Sequence, residues 1–206
     1  MPIDDRALPL RERKRLRTRR ALADAALRLF TEKGFAATTV EELVDAAEVS
    51  RSTFFRAFPT KEAVAVEAET ELWASYLDAL DATDLGGPVL AALRDILTGA
   101  VAELADDWDV RYVATRKLVL TAPSLLGHVD YARSGVETQV AHQIARKLAL
   151  PDGDLRPRVL AELTTTAWST AGRGWVAVDA SGGRAELIER LHQAFAVIPD
   201  ALGLSA

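Results

Sequence analysis

Apolar residues recur in this chain at spacings of three and four almost from end to end, and no stretch alternates apolar with polar residues between turn signals. That periodicity confines the chain to an all-α fold. Ala23, Ala26, Leu27 and Phe30 form one helix face, and Gly34 behind them suits the left-handed residue that follows a helix. Thr39 with Glu42 three residues on makes a capping box at the head of a second helix, whose inner face is Val40, Leu43, Val44 and Ala47. Ser50 caps a short third helix that must stop at Phe58, because Pro59 disfavours helical geometry in the residue before it. Thr60 then caps a long fourth helix to about Leu80. Pro88 opens the next at its first helical position, with Leu90, Leu93, Leu97 and Leu104 following. Stretches 109–121 and 123–150 come next. Asp154 caps a helix carrying Val159, Leu163, Ala167 and Trp175. A last helix after Gly182 and Gly183 presents Leu187, Leu191, Phe195 and Ile198. The expectation is about nine helices.

The 206 residues suit a small module joined to a larger one, with the boundary near residue 60: 1–60 and 61–206. With 49% hydrophobic and 27% charged residues, disorder is not the default. The absence of cysteine excludes disulfides, thiolate metal sites and cysteine nucleophiles. No apolar run is long enough for a membrane span, and the basic N-terminus lacks the apolar stretch of a signal peptide, so a cytoplasmic protein is expected. Net charge is −5, unevenly spread: residues 1–62 hold 13 Lys and Arg against 10 Asp and Glu, and the remainder is acidic. A basic end on an acidic body suits a protein that meets phosphate with one end only.

The informative segment is Thr38–Lys61, TTVEELVDAAEVSRSTFFRAFPTK. Two short amphipathic helices joined by a tight turn at Ala47–Val49 are the geometry that lets the second lie in a major groove. Helical spacing turns Phe54 and Phe58 inward and leaves Arg51, Ser52, Phe55 and Arg56 outward. Arginine can fork onto guanine or a phosphate, and a short hydroxyl side chain allows close approach to the backbone. Ahead of this segment Arg11, Arg13, Lys14, Arg15, Arg17, Arg19 and Arg20 form a basic arm able to reach phosphates or the neighbouring minor groove.

These residues resemble the TetR-type regulators, through Gly34, Phe35, Thr38, Thr39, Val40, Val49, Ser50, Thr53, Phe58, Pro59, Thr60, Lys61 and Glu62 in their ordered spacing. The resemblance implies phosphate contacts from Thr39, Thr53 and Lys61, and base or phosphate contacts from Arg51, Ser52 and Arg56. It also implies that the last two long helices pair with their copies in a homodimer. Ala167, Ala171 and Gly172 are then expected to permit close approach, and two-fold symmetry implies a palindromic double-stranded DNA operator. Three residues depart from the pattern. Glu48 stands where the turn usually has Gly, Phe55 replaces a common Tyr while keeping an aromatic face for a thymine methyl, and Ala57 replaces a frequent His.

In the larger region Trp73, Tyr76, Trp108, Tyr112, Tyr131, Trp168 and Trp175 are individually core candidates and collectively able to line an apolar pocket. Arg116 and Arg173 stand among apolar neighbours, where a salt bridge and a ligand contact are both open. The candidate effector contacts are Trp108, Tyr112, Arg116, Trp168, Arg173 and Trp175. Residues 116–126, RKLVLTAPSLL, also look like those of a regulator subgroup responding to acyl-coenzyme A, so the expected effector is apolar or acyl-coenzyme A-like. His128, His142 and His192 lack metal-ligand spacing, and no nucleophile elbow, phosphate loop or dinucleotide signature occurs. No cofactor, metal or catalytic residue is expected. The reading is a ligand-controlled DNA-binding repressor; the alternative is a helical interaction or small-molecule-binding module whose helix-turn-helix does not read DNA.

Overall fold

The computed structural model describes residues 9–204; residues 1–8 of the expected basic module and 205–206 of the larger region lie outside the described residues. Eleven helices occur among them: α1 (Leu10–Lys33), α2 (Val40–Ala46), α3 (Arg51–Ala57), α4 (Lys61–Ala65), α5 (Glu67–Ala82), α6 (Val89–Ala102), α7 (Trp108–Thr121), α8 (Pro123–Lys147), α9 (Arg156–Val176), α10 (Gly183–Ala196) and α11 (Ile198–Leu202). None is long and apolar enough to cross a membrane. Two helices beyond the expected nine arise because the fourth is broken at Val66 and Ile198 begins a helix of its own.

The break at Val66 has a tertiary cause. In a continuous helix the amide of Glu69 would donate to the carbonyl of Ala65. The hydroxyl of Thr115 on α7 takes that carbonyl at 3.3 Å, and Glu69 N–H turns to Val66 O at 3.0 Å. A side chain inserted into the backbone ladder is a recognised source of kinks.

Cα packing divides the chain into two compact units. One runs to Thr70 and takes in Val110–Asp130; the other comprises Glu71–Asp109 and the chain from Tyr131 onward. Packing thus carries the first unit past the boundary expected at residue 60. Val64, Ala65 and Val66 join its apolar cluster, as do Leu118, Val119, Leu125 and Val129 of α7 and α8.

The remainder of that cluster is Leu22, Ala23, Ala26, Leu29 and Phe30 of α1, Phe35 between α1 and α2, Leu43 and Val44 of α2, Phe54 of α3, Phe58, and Ala122 between α7 and α8. The buried stripe of α1 is rotated from the expected one: Leu22 and Leu29 are buried and Leu27 only half so, because α2, α3 and α4 all meet this side of α1.

In the second unit α9 packs on α10 and α6 on both. Leu187, Leu191 and Phe195, four apart on α10, meet a core that includes Leu93, Leu97 and Val101 of α6. Ala167, Ala171 and Gly172 are buried here too, so the close approach they permit lies within the protomer and not at the dimer surface expected from sequence. Trp168 meets Trp73 and Trp108 at 5.9 and 6.3 Å between ring centroids, and Trp73 meets Tyr76 at 6.0 Å. Burial pushes the Tyr76 phenol up, and so keeps it neutral.

Two polar features shape the ends of these helices. Arg184 at the start of α10 donates to the carbonyls of Leu104 and Ala105 and to Asp109, tying down the link between α6 and α7. Asp154 lies one residue ahead of the α9 cap position, Leu155, yet its carboxylate accepts the Arg156 amide at 2.9 Å. The Arg156 guanidinium holds that carboxyl down at about 2.

Candidate nucleic-acid interface

The reading surface is assembled from local signals. Thr39 Oγ1 accepts the Glu42 amide at 3.2 Å, and Glu42 Oε2 accepts the Thr39 amide at 2.9 Å, completing the capping box of α2. Lys33 donates to Glu42 at 2.7 Å and, with the Thr39 amide, holds that carboxyl at about 2. It is therefore ionised at every pH at which a nucleic acid would be bound.

The turn follows as a Schellman closure. Val49 N–H bonds Val44 O at 2.9 Å, Glu48 N–H bonds Asp45 O at 3.1 Å, and Glu48 carries φ 52°. The backbone is left-handed where the sequence substitutes Glu for the usual Gly. Ser50 Oγ then accepts the Thr53 amide at 3.1 Å and starts α3, which closes with Phe58 N–H on Phe54 O at 2.7 Å.

With Phe54 and Phe58 buried in the core, 3.6-residue periodicity turns Arg51, Ser52, Phe55 and Arg56 to the exposed side. Phe55 is 45% exposed, its ring braced edge-on by Phe54 at 5.2 Å. Thr39 is exposed at the head of α2; Thr53 is half-buried, with its hydroxyl 2.8 Å from that of Ser50. A cleft of about 300 Å³ lies between α1 and α3, lined by Arg11, Lys14, Arg15 and Arg56 with Glu12, Thr18, Thr53 and Ala57. Arg15 bonds Glu12 across one turn and is otherwise exposed. Four cations against one acid make this cleft attractive to a phosphate.

Two of the residues expected at phosphate are turned inward. Arg19 donates to both carboxylate oxygens of Glu67 and to the carbonyl of Ala57, with its guanidinium 4.2 Å from the Phe58 ring centroid. Lys61 donates to the carbonyls of Phe35 and Thr38 at 2.9 Å each, over the Phe35 ring. The causes differ: the Ala57 carbonyl that Arg19 takes ends α3, where carbonyls unsatisfied by the helix attract cations, whereas the Phe35 and Thr38 carbonyls that Lys61 takes lie in the segment between α1 and α2. Sequence reading missed Glu41, whose carboxylate meets Arg51, and Glu67, which lies 48 residues from its partner Arg19.

The six expected effector contacts are divided between the two units. Tyr112 and Arg116 belong to the first unit, the other four to the second. Arg116 pairs with Glu69 at 3.2 Å; Trp108, Trp168 and Trp175 are buried in the core; Arg173 is exposed near the end of α9.

A short capped helix held outward on a rigid platform beside a cationic cleft defines a helix-turn-helix DNA-binding protein. The family model for bacterial regulatory proteins of the tetR family matches residues 22–68, and that described as the MftR C-terminal domain matches residues 87–203. The transcriptional regulator TcmR of Streptomyces glaucescens is 31% identical over 172 residues, covering 81% of this chain and 76% of its own. A putative mycofactocin biosynthesis regulator, MftR, of Mycobacterium tuberculosis is 26% identical, covering 78% of this chain and 77% of its own.

Among solved structures, FadR of Thermus thermophilus in complex with lauroyl-CoA is similar with a TM-score of 0.53 at 22% identity, covering 91% of this chain and 96% of that one. The SmeT–triclosan complex reaches 0.57 at 19% identity, covering 87% and 90%. The chain belongs to the TetR family of bacterial regulatory proteins and is a DNA-binding transcriptional regulator.

Proposed function

We propose that this protein is a cytoplasmic homodimeric repressor that grips a palindromic operator with two copies of α3 and releases it when a small molecule binds. The observation that carries the reading is the outward face of α3, where Arg51, Ser52, Phe55 and Arg56 stand exposed beside the cationic cleft of Arg11, Lys14 and Arg15. In this assignment Arg51 and Arg56 address bases or phosphates, Phe55 a thymine methyl, and Ser52, Thr53, Thr39 and Arg15 the sugar-phosphate backbone. Arg19 and Lys61 support the platform. Residues 1–60 carry the reading function and 61–206 effector binding and dimerisation, with no catalysis.

The dimer is assigned to the outward faces of α9 and α10, where Val159, Thr166 and Thr170 and, on α10, Ala185 and Gln193 are exposed. The effector class to test first is apolar or acyl-coenzyme A-like, since proteins of this fold have been solved with lauroyl-CoA and with triclosan. Its contacts are assigned, within the second unit, to Trp108, Trp168, Arg173 and Trp175.

The relay is assigned to α7, whose central residues Thr115 and Arg116 grip the two sides of the Val66 break, at Ala65 O and at Glu69. A ligand that prefers one setting of α7 then shifts the break and the spacing of the two reading heads, and a differential affinity of a few kcal/mol suffices.

Selection of bound duplex from a random pool, followed by fluorescence anisotropy, tests this. The expected result is a two-fold symmetric site, steep salt dependence, and a loss on the order of 100-fold for Arg51→Ala/Arg56→Ala with unchanged thermal stability. Binding without sequence preference or salt slope would assign the helix-turn-helix to protein contacts instead.

A further inference from the structure

Arg51, the first residue of α3, does not swing free. Its Nη1 donates to Oε1 of Glu41 on α2 at 2.6 Å, and its guanidinium lies 5.6 Å from the ring centroid of Phe55, one turn on. Phe55 is itself fixed by the edge-on contact with buried Phe54. An aromatic face behind and a carboxylate at one edge therefore hold an arginine side chain that is 68% exposed.

A surface ion pair of this kind contributes little to folding, Glu41 being 61% exposed. A carboxylate on a surface that meets phosphates also opposes binding to any duplex, whatever its sequence. What it supplies is orientation. A guanidinium has five N–H donors in a planar fork. With Nη1 engaged by Glu41, the edge bearing Nε and Nη2 remains for the paired acceptors O6 and N7 of guanine. Part of the positive charge is meanwhile neutralised, which weakens the competing pull of the nearest phosphate.

We propose that Glu41 is the positioning residue for Arg51: its carboxylate presents the guanidinium edge-on to one guanine in each half-site, raising base discrimination there while lowering general affinity for DNA. This rests on the DNA-reading assignment above.

The test uses the full chain, as wild type, Glu41→Gln, Arg51→Ala and the double variant. Fluorescence anisotropy would be read against the selected operator, against operators with each guanine replaced singly, and against a scrambled duplex. Thermal melts would accompany each variant. Glu41→Gln is expected to bind the scrambled duplex several-fold more tightly, and to lose about tenfold of the preference for guanine at a single half-site position. In the Arg51→Ala background the same change should leave discrimination unaltered.

If Glu41→Gln strengthens binding to every duplex by one common factor and keeps the guanine preference, Glu41 only repels phosphate and the proposal is overturned. If the wild type selects no sequence at all, the DNA-reading assignment falls first and takes this one with it. The two failures are thus distinguishable.

Discussion

Glu48 shows how a single residue can be read correctly and still carry a surprise. Its place in the turn was evident from the family pattern, and the positive φ of 52° follows from the Schellman closure of α2. A side chain there strains against its own backbone by about 1 kcal/mol. Glu48→Gly should therefore raise unfolding stability by up to about 1 kcal/mol in urea titration, whereas Glu48→Ala should not, since the strain comes from Cβ and not from the carboxylate. An unchanged midpoint for Glu48→Gly would show that this strain is already relieved in the native turn. Arg19 and Lys61 make the opposite point. Their basic character was legible, but whether a cation faces solvent or backbone carbonyls depends on which carbonyls the fold brings beside it.

At the scale of elements, the caps at Thr39, Ser50 and Thr60 all form as their local sequence requires, because donor and acceptor lie within three residues. The break at Val66 could not be foreseen, since the hydroxyl that causes it is 50 residues away. Arg19 is the joint between elements: it ties α1 to the end of α3 and to the first turn of α5, with only 27% of its side chain exposed and 7% of that of Glu67. Arg19→Ala leaves Glu67 without that guanidinium and should cost about 3 kcal/mol in denaturant unfolding. Arg15→Ala should leave stability unchanged and instead lower the slope of log affinity against log salt by about 0.9. Equal stability loss in both variants would contradict the inward placement of Arg19.

For the whole molecule the decisive quantity is oligomeric state, because a palindromic site needs two heads in fixed register. Ala167, Ala171 and Gly172 are consumed by packing within the protomer, so the assigned interface rests on the outward residues of α9 and α10. Light scattering should report a dimer at micromolar concentration. Thr170→Arg, which places charge on that face, should shift the mass toward the monomer and weaken operator binding by at least tenfold, since the second head no longer benefits from tethering. A Thr170→Arg protein that stays dimeric with full operator affinity would move the interface elsewhere.

What the sequence determined alone is what acts over a few residues: helical period, capping, the turn, and the outward set Arg51, Ser52, Phe55 and Arg56, whose direction follows once Phe54 and Phe58 are core. Only the tertiary structure decided which charges are spent internally, where the helix after Thr60 breaks, and that Glu41 meets Arg51. Each of these depends on groups brought together from distant parts of the chain or from neighbouring helices. Local periodicity carries no information about such encounters, because it records which side of a helix is apolar and not what lies opposite.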